Sequence, residues 1–216
     1  MSKDWVAWHR DYEDPSSSLA RRLEVVQSEL RTALALARPA DGESRLISIC
    51  AGDGRDVLPV LAERGRDVRA LLVELEPLLC EQARSSAAEF GLTGVEIRTG
   101  DAGVTDAYRG FTPAHVVLAC GVFGNITVED ARQTVAALRG LLADDGIVIW
   151  TRGRNNAGAD PSTAIRGLFT THCCTEMSFT APDDARFRVG MERLDPWPTN
   201  VPMLPGLRMF TFSASD

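Results

Sequence analysis

The chain has 216 residues, enough for one domain with a buried core, and its 23 Lys and Arg against 30 Asp and Glu give a net charge of −7. This negative balance argues against a nucleic-acid partner, because phosphate binding needs clustered positive charge. No apolar run is long enough to span a membrane and the N-terminus lacks the pattern of a secretory signal, so we expect a cytoplasmic protein without a membrane partner.

The N-terminal region predicts one long amphipathic helix. Residues 16–18 are serines suited to an N-cap, and apolar residues recur at helical spacing from Leu19 to Leu34. The run ends at Arg38-Pro39, where proline disfavours further helix.

Strands and helices then alternate along the chain. Such alternation predicts a mostly parallel sheet with helices on both faces and a ligand site at the carboxyl ends of the strands. The predicted strands are 46–50, 68–74, 95–99, 115–119 and 146–151, and the predicted helices are 55–64, 77–90 and 128–141, with a helical turn at 104–108 and Thr127 as a cap. Further along, we expect a helix at 161–170 and strands at 174–180, 185–192 and 207–212.

The first predicted strand leads into a small-residue turn, Cys50-Ala-Gly-Asp-Gly54. Its glycines allow backbone conformations and close ligand approach that a Cβ would block. Glu74 follows about twenty residues later, at the end of the second predicted strand, where a carboxylate is placed to bridge two ribose hydroxyls. Turn and acid together indicate a bound adenosine.

Several ligand classes fit less well. The third glycine of the dinucleotide fingerprint is replaced by Val57, which makes a nicotinamide cofactor the weaker interpretation. No phosphate-binding loop with its Lys-Ser/Thr pair is present, and the chain's one lysine is Lys3. The five cysteines include no pair with metal-ligand spacing, so we predict no metal site.

Residues 44–152 resemble class I S-adenosylmethionine-dependent methyltransferases. In that class the first strand and turn read apolar, acidic, apolar and then Gly-x-Gly-x-Gly; here Ser48 stands in the place of the acid and Cys50 in that of the first glycine. The N-terminal segment Trp8-His9-x-x-Tyr12 is similar to that of an uncharacterised group of small bacterial methyltransferases.

The resemblance implies a Rossmann-like, seven-stranded α/β sheet, mostly parallel with an antiparallel last strand, helices on both faces and an N-terminal helical lid. It also implies S-adenosylmethionine (SAM) as cofactor. Glu74 would hold the ribose and Leu75 one face of the adenine; Asp101 and Ala102 would meet the adenine edge. Tyr12 would either reach the methionine carboxylate or pack under the lid. The residues expected to bind the cofactor are Tyr12, Cys50, Ala51, Gly52, Asp53, Gly54, Glu74, Leu75, Asp101, Ala102, Cys120 and Gly121.

Three residues are candidates for a catalytic role. His9 either touches cofactor or acceptor or pins the lid, and Asn125 either meets the acceptor or belongs to the entry of the next helix. His172 is a candidate base, whereas His115 is expected to be structural because it begins a strand far from the cofactor. Arg152 and Arg154, past the fifth strand, either bind an acidic acceptor group or form a solvated surface.

We therefore predict a single methyltransferase domain over residues 1–216, with a lid at 1–40, a cofactor-binding core at 44–152 and acceptor-side segments at 153–216. The predicted reaction is SAM-dependent methyl transfer to oxygen or nitrogen of a small molecule, by in-line displacement aided by proximity and desolvation. The alternatives are aminopropyl transfer or other chemistry on the same fold, and a catalytically silent adenosine-binding module. A homodimer is left open.

Overall fold

The computed structural model describes residues 10–37, 39, 42–64, 67–154, 160–196 and 201–213. Its strands are β1 (Ser44–Ile49), β2 (Val68–Glu74), β3 (Val95–Thr99), β4 (Ala114–Ala119), β5 (Leu142–Gly153), β6 (Cys174–Thr180) and β7 (Phe187–Leu194). Its α-helices are α1 (Ser18–Leu36), α2 (Leu58–Arg64), α3 (Pro77–Glu89), α4 (Val128–Leu141) and α5 (Ser162–Thr171), and 3₁₀ helices span Arg10–Glu13 and Thr105–Tyr108.

The seven strands form one sheet in the order β3-β2-β1-β4-β5-β7-β6. β1 to β5 are parallel, while β7 lies between β5 and β6 and is antiparallel to both. The predicted Rossmann-like architecture is confirmed. The strand order reverses between β1 and β4, and in open α/β sheets this switch point is where a ligand crevice forms.

Helices cover both faces of the sheet. α1, α2 and α3 pack on one face, and α4 and α5 pack on the other. α1 begins where the Ser17 side chain accepts a hydrogen bond from the Ala20 N–H, and its apolar stripe, Val26, Leu30 and Leu34, is buried. Helix α4 is capped by Thr127, as predicted.

Three predicted elements differ in the structure. α2 begins at Leu58 rather than at 55, because residues 52–57 form successive turns. β5 begins at Leu142 rather than at 146 and pairs irregularly with β4 there. The prediction of a strand at 207–212 is wrong: this segment makes one isolated bridge, from Arg208 to Val104, and the buried side chains of Met209 and Phe210 pack into the core beneath.

Glu192 on β7 is a buried carboxylate, 2% exposed, whose Oε1 accepts a hydrogen bond from Trp150 Nε1 at 3.3 Å. Burial raises the pKa of Glu192 from 4.5 to about 7, with the nearby Glu176 acting in the same direction. Between these two pH values, Glu192 therefore keeps its proton in the folded protein and loses it in the unfolded chain.

The free energy of unfolding should fall as the pH rises from about 4.5 to about 7, and Glu192→Gln should remove about 2 kcal/mol of that fall. Urea unfolding across this pH range measures the effect, with Glu81→Gln on the exposed face of α3 as control. Parallel stability curves for the wild type and Glu192→Gln would contradict it.

Candidate active site

The turn after β1 is held in a conformation that few residues adopt. Cys50, Gly52 and Gly54 have φ angles of 54°, 58° and 78°. The Ala51 N–H donates to the Val73 carbonyl at 3.0 Å, which ties the turn to the end of β2. Glycine is the usual solution at such positions, so Cys50 carries a conformational cost that the surrounding structure must offset.

The close packing around Gly54 leaves no space for a side chain at this position. A Cβ at Gly54 would lie 2.7 Å from Leu58 Cδ1 and 3.0 Å from Leu72 Cδ2. Its bare Cα therefore lets the start of α2 pack against β2.

A cavity of about 340 Å³ opens at the carboxyl ends of β1, β2, β3 and β4. This volume lies within the range of small-molecule sites, about 300–1,000 Å³. All the predicted cofactor-binding residues except Gly54 line the cavity. The lining residues not predicted are Arg22, Arg55, Asp56, Glu76, Leu79, Gly103, Arg208, Phe210, Thr211 and Phe212.

Glu74 links the turn to the cavity. Its Oε2 accepts from the Gly52 N–H at 2.9 Å, and its Oε1 accepts from the N–H groups of Leu75 and Glu76 at 2.8 and 2.9 Å. These bonds fix the carboxylate at the end of β2. Leu75, beside it, is 67% exposed and gives the cavity an apolar surface suited to a flat ring.

Asp101 and Ala102 follow β3 and lie at one side of the cavity. Asp101 accepts from the Gly103 N–H at 2.8 Å and forms an ion pair with Arg208 at 2.9 Å. The Ala102 carbonyl accepts from the buried Tyr108 hydroxyl at 2.5 Å, which fixes the loop between them.

Tyr12 lies at the N-terminal side of the cavity between two arginines. Its hydroxyl accepts a hydrogen bond from Arg22, and the Arg55 guanidinium lies 4.4 Å from the ring centroid. Arg55 is in turn paired with Asp53. Burial, reinforced by the charge of Asp56, raises the pKa of Tyr12, so its phenol is neutral. α1 thus brings Arg22, which is only 9% exposed, to the cavity wall.

The thiols of Cys50 and Cys120 also line the cavity. Burial raises the pKa of both well above the usual value, so both are neutral at physiological pH and are poor nucleophiles. The neighbouring Gly121 N–H donates to Thr151 Oγ1 at 2.8 Å, and a Cβ at Gly121 would meet no atom of the described residues within 4 Å. Its backbone therefore faces open cavity space.

The charges of the cavity suit SAM. Five carboxylates and three guanidiniums line it, and this negative excess favours a cation such as the sulfonium and the ammonium of the cofactor.

The structure does not bring the predicted catalytic residues together. His9 lies outside the described residues. Asn125 Nδ2 donates to the Gly121 carbonyl at 2.6 Å, and its side chain stays in that loop beside the entry to α4. His172 ends α5 with its Nδ1 3.0 Å from the Leu168 carbonyl. β6 begins at the end of the sheet away from the cavity: Cys174 pairs with Leu194, and the neighbouring Arg193 pairs with Ile147 in β5. His172 therefore does not line the cavity.

The C-terminal segment is the main part of the cavity that the sequence did not predict. Its backbone pairs with the loops after β3 and β4: the Met209 N–H donates to the Gly103 carbonyl at 2.7 Å, and the Ser213 N–H donates to the Asn125 carbonyl at 2.8 Å. Phe210 and Phe212, with rings stacked 5.7 Å apart, then form a wall of the cavity. Their alternation is equally typical of a strand, so no local signal reveals this role.

The fold, the switch-point cavity and the paired glycine turn and carboxylate define a class I SAM-dependent methyltransferase. The chain belongs to the family described as "Putative methyltransferase", whose profile matches residues 18–154. No curated protein matches the chain in sequence. The predictions of the enzyme class and of SAM as cofactor are confirmed.

Solved structures with similar folds include methyltransferases at low sequence identity. Magnesium protoporphyrin IX methyltransferase from Synechocystis PCC 6803, determined with bound SAM, has a TM-score of 0.66 and 15% identity over 90% of this chain and 92% of its own. An O-methyltransferase family 2 protein from Planctomyces limnophilus, in complex with apigenin, has a TM-score of 0.61 and 18% identity over 82% and 59%. The CurJ carbon methyltransferase has a TM-score of 0.59 and 17% identity over 81% and 54%.

None of the helices in the described ranges has the length and apolar character needed to cross a bilayer.

Proposed function

We propose that the protein transfers the methyl group of SAM to an oxygen or nitrogen atom of a small-molecule acceptor. The observation that carries this proposal is the switch-point cavity, which is lined by all the residues expected to bind the cofactor except Gly54. Small-molecule names among the similar structures, protoporphyrin and apigenin, support the acceptor class.

The reactivity of SAM supports oxygen or nitrogen as the acceptor atom. Bound SAM supplies an electrophilic methyl group on its sulfonium. A lone pair on oxygen or nitrogen attacks such a group without prior formation of a carbanion. No histidine or lysine is among the described lining residues. The contribution of the chain is then alignment of the acceptor and exclusion of water.

The geometry of each group supports a cofactor-binding role for it. Glu74, fixed by three backbone N–H groups, accepts from the ribose hydroxyls, and exposed Leu75 packs on the adenine. Asp101 and the backbone of Ala102 border the adenine edge. Arg22 binds the methionine carboxylate, with Tyr12 holding the guanidinium in place. The backbone of Cys120 and Gly121 would contact the methionine half of the cofactor.

Isothermal titration with SAM, S-adenosylhomocysteine and NAD tests the proposal. The first two ligands should bind at micromolar concentration, and Glu74→Ala should weaken both by about 10- to 30-fold, the value of a hydrogen bond to a charged group. Because Glu74 also braces the turn, thermal unfolding of the variant checks that it is folded.

The matched control is Glu81→Ala, which removes an exposed carboxylate from α3 and should leave both affinities unchanged. Binding of NAD alone, or of none of the three ligands, would overturn the proposal. Tight binding that survives Glu74→Ala would remove the assigned role of Glu74.

A further inference from the structure

Arg152 lies at the carboxyl end of β5, beside the loop that follows β4. The preceding Thr151 side chain accepts from the Gly121 N–H, at the cavity wall. Arg152 Nη1 lies 3.3 Å from the position that a Cβ on Gly124 would occupy. Its guanidinium therefore contacts the loop after β4 at Gly124. This contact lies three residues after Gly121, which lines the cavity.

A second arginine stands directly opposite Arg152. In the antiparallel pairing of β5 with β7, Arg152 faces Arg188, and like charges in directly opposite positions destabilise a sheet. Arg188 has partners within the protein. Its Nε pairs with Asp160 at 2.6 Å, and its Nη1 donates to the carbonyls of Pro182, Ala185 and Phe187.

Asp160 is engaged as well. Its Oδ1 accepts from the N–H and the hydroxyl of Ser162, at 3.0 and 2.7 Å. Against the opposing effect of burial, these bonds and the contact with Arg188 lower the pKa of Asp160 to about 2. One carboxylate thus stands against two arginines, and the three groups together carry one net positive charge.

Arg152 is half-buried, and within the described ranges no hydrogen bond or ion pair reaches its guanidinium. Burial lowers the pKa of Arg152, and the nearby Asp160 acts in the opposite direction. A partly desolvated guanidinium is stabilised most by an anion that accepts two parallel N–H bonds. The contact of Arg152 with Gly124 places such an anion beside the loop after β4, whose first residues, Cys120 and Gly121, line the cavity.

We propose that the acceptor carries a carboxylate and that Arg152 binds it, which orients the acceptor's oxygen or nitrogen towards the methyl group beside Gly121. This inference rests on the proposed function, because it specifies the acceptor class of the same site. A monocarboxylate matches the single unbalanced charge and the planar fork of the guanidinium, whereas a phosphate would bring more charge than Arg152 neutralises.

Thermal unfolding with simple probes tests the proposal. Benzoate and acetate are compared with benzamide and acetamide at matched ionic strength, with and without S-adenosylhomocysteine. Carboxylates at several times their dissociation constant should raise the Tm by about 2–4 °C, the amides should not, and Arg152→Gln should abolish the increase.

Arg186→Gln, which removes an exposed arginine just before β7, is the matched control and should keep the carboxylate effect. An equal response to acids and amides, no response to either, or a carboxylate response that persists in Arg152→Gln overturns this proposal. S-adenosylhomocysteine binding is measured separately, and absence of this binding would overturn the proposed function. The carboxylate titration without S-adenosylhomocysteine still tests the role of Arg152.

Discussion

Gly190→Ala should destabilise the protein by about 3 kcal/mol or more, because it overpacks a rigid part of the core. Gly190 on β7 pairs with Trp150 on β5, and a Cβ there would lie 2.3 to 2.5 Å from three atoms of the indole. Trp150 is fully buried and stacked 5.8 Å from Phe169, with Phe123 6.1 Å away on a perpendicular ring. The indole therefore has no free space into which it can move.

Urea unfolding measures this effect. Gly167→Ala is the control, since Gly167 lies on the exposed side of α5 and a Cβ there would meet no described atom within 4 Å. Helix propensity predicts that this control gains up to about 1 kcal/mol. An unchanged transition midpoint for Gly190→Ala would contradict the packing described here.

Arg22→Met should weaken S-adenosylhomocysteine binding by about 100-fold, because it removes one partner of a buried charge pair, worth about 3 kcal/mol. The effect should depend on the ligand. 5′-Methylthioadenosine has the same adenosine but lacks the amino-acid carboxylate, so its affinity should change little. Glu74→Ala should weaken both ligands, since both carry the ribose.

The adjacent Arg21 provides the control for this prediction. Arg21 lies on the exposed side of α1 in an ion pair with Asp184, and Arg21→Met should leave both affinities unchanged. If Arg22→Met weakens 5′-methylthioadenosine as much as S-adenosylhomocysteine, Arg22 acts by holding the wall of the cavity and does not bind the carboxylate.

The cofactor half of the site could be predicted because its signals are local in sequence. The turn from Cys50 to Gly54 needs particular backbone angles, and Glu74 follows directly from the end of β2. In a parallel sheet, residues that follow successive strands converge on one edge, so spacing along the chain becomes proximity in space. The same logic located Asp101 and Gly121 at the cavity.

The parts of the site that come from distant elements could not be predicted in the same way. His172 was chosen as a candidate base because of its residue type. In the structure β7 is inserted antiparallel between β5 and β6, so the start of β6 lies at the end of the sheet away from the cavity. Arg22 lies in α1, where the hydrophobic periodicity predicts which residues are buried but not that Arg22 lines the cavity. The chain around Phe210 alternates like a strand, yet it lies across the loops after β3 and β4.

The sequence by itself determined the fold class, the glycine turn and the acid of the cofactor site, because dihedral preferences and hydrophobic periodicity act over a few residues. Only the tertiary structure decided which distant groups complete the cavity: Arg22 and Tyr12 from the N-terminal side, and Phe210 and Phe212 from the C-terminal side. It also placed Arg152 opposite Arg188. Those contacts depend on how the helices and the last strands pack on the sheet, and packing is a long-range property that no local pattern encodes.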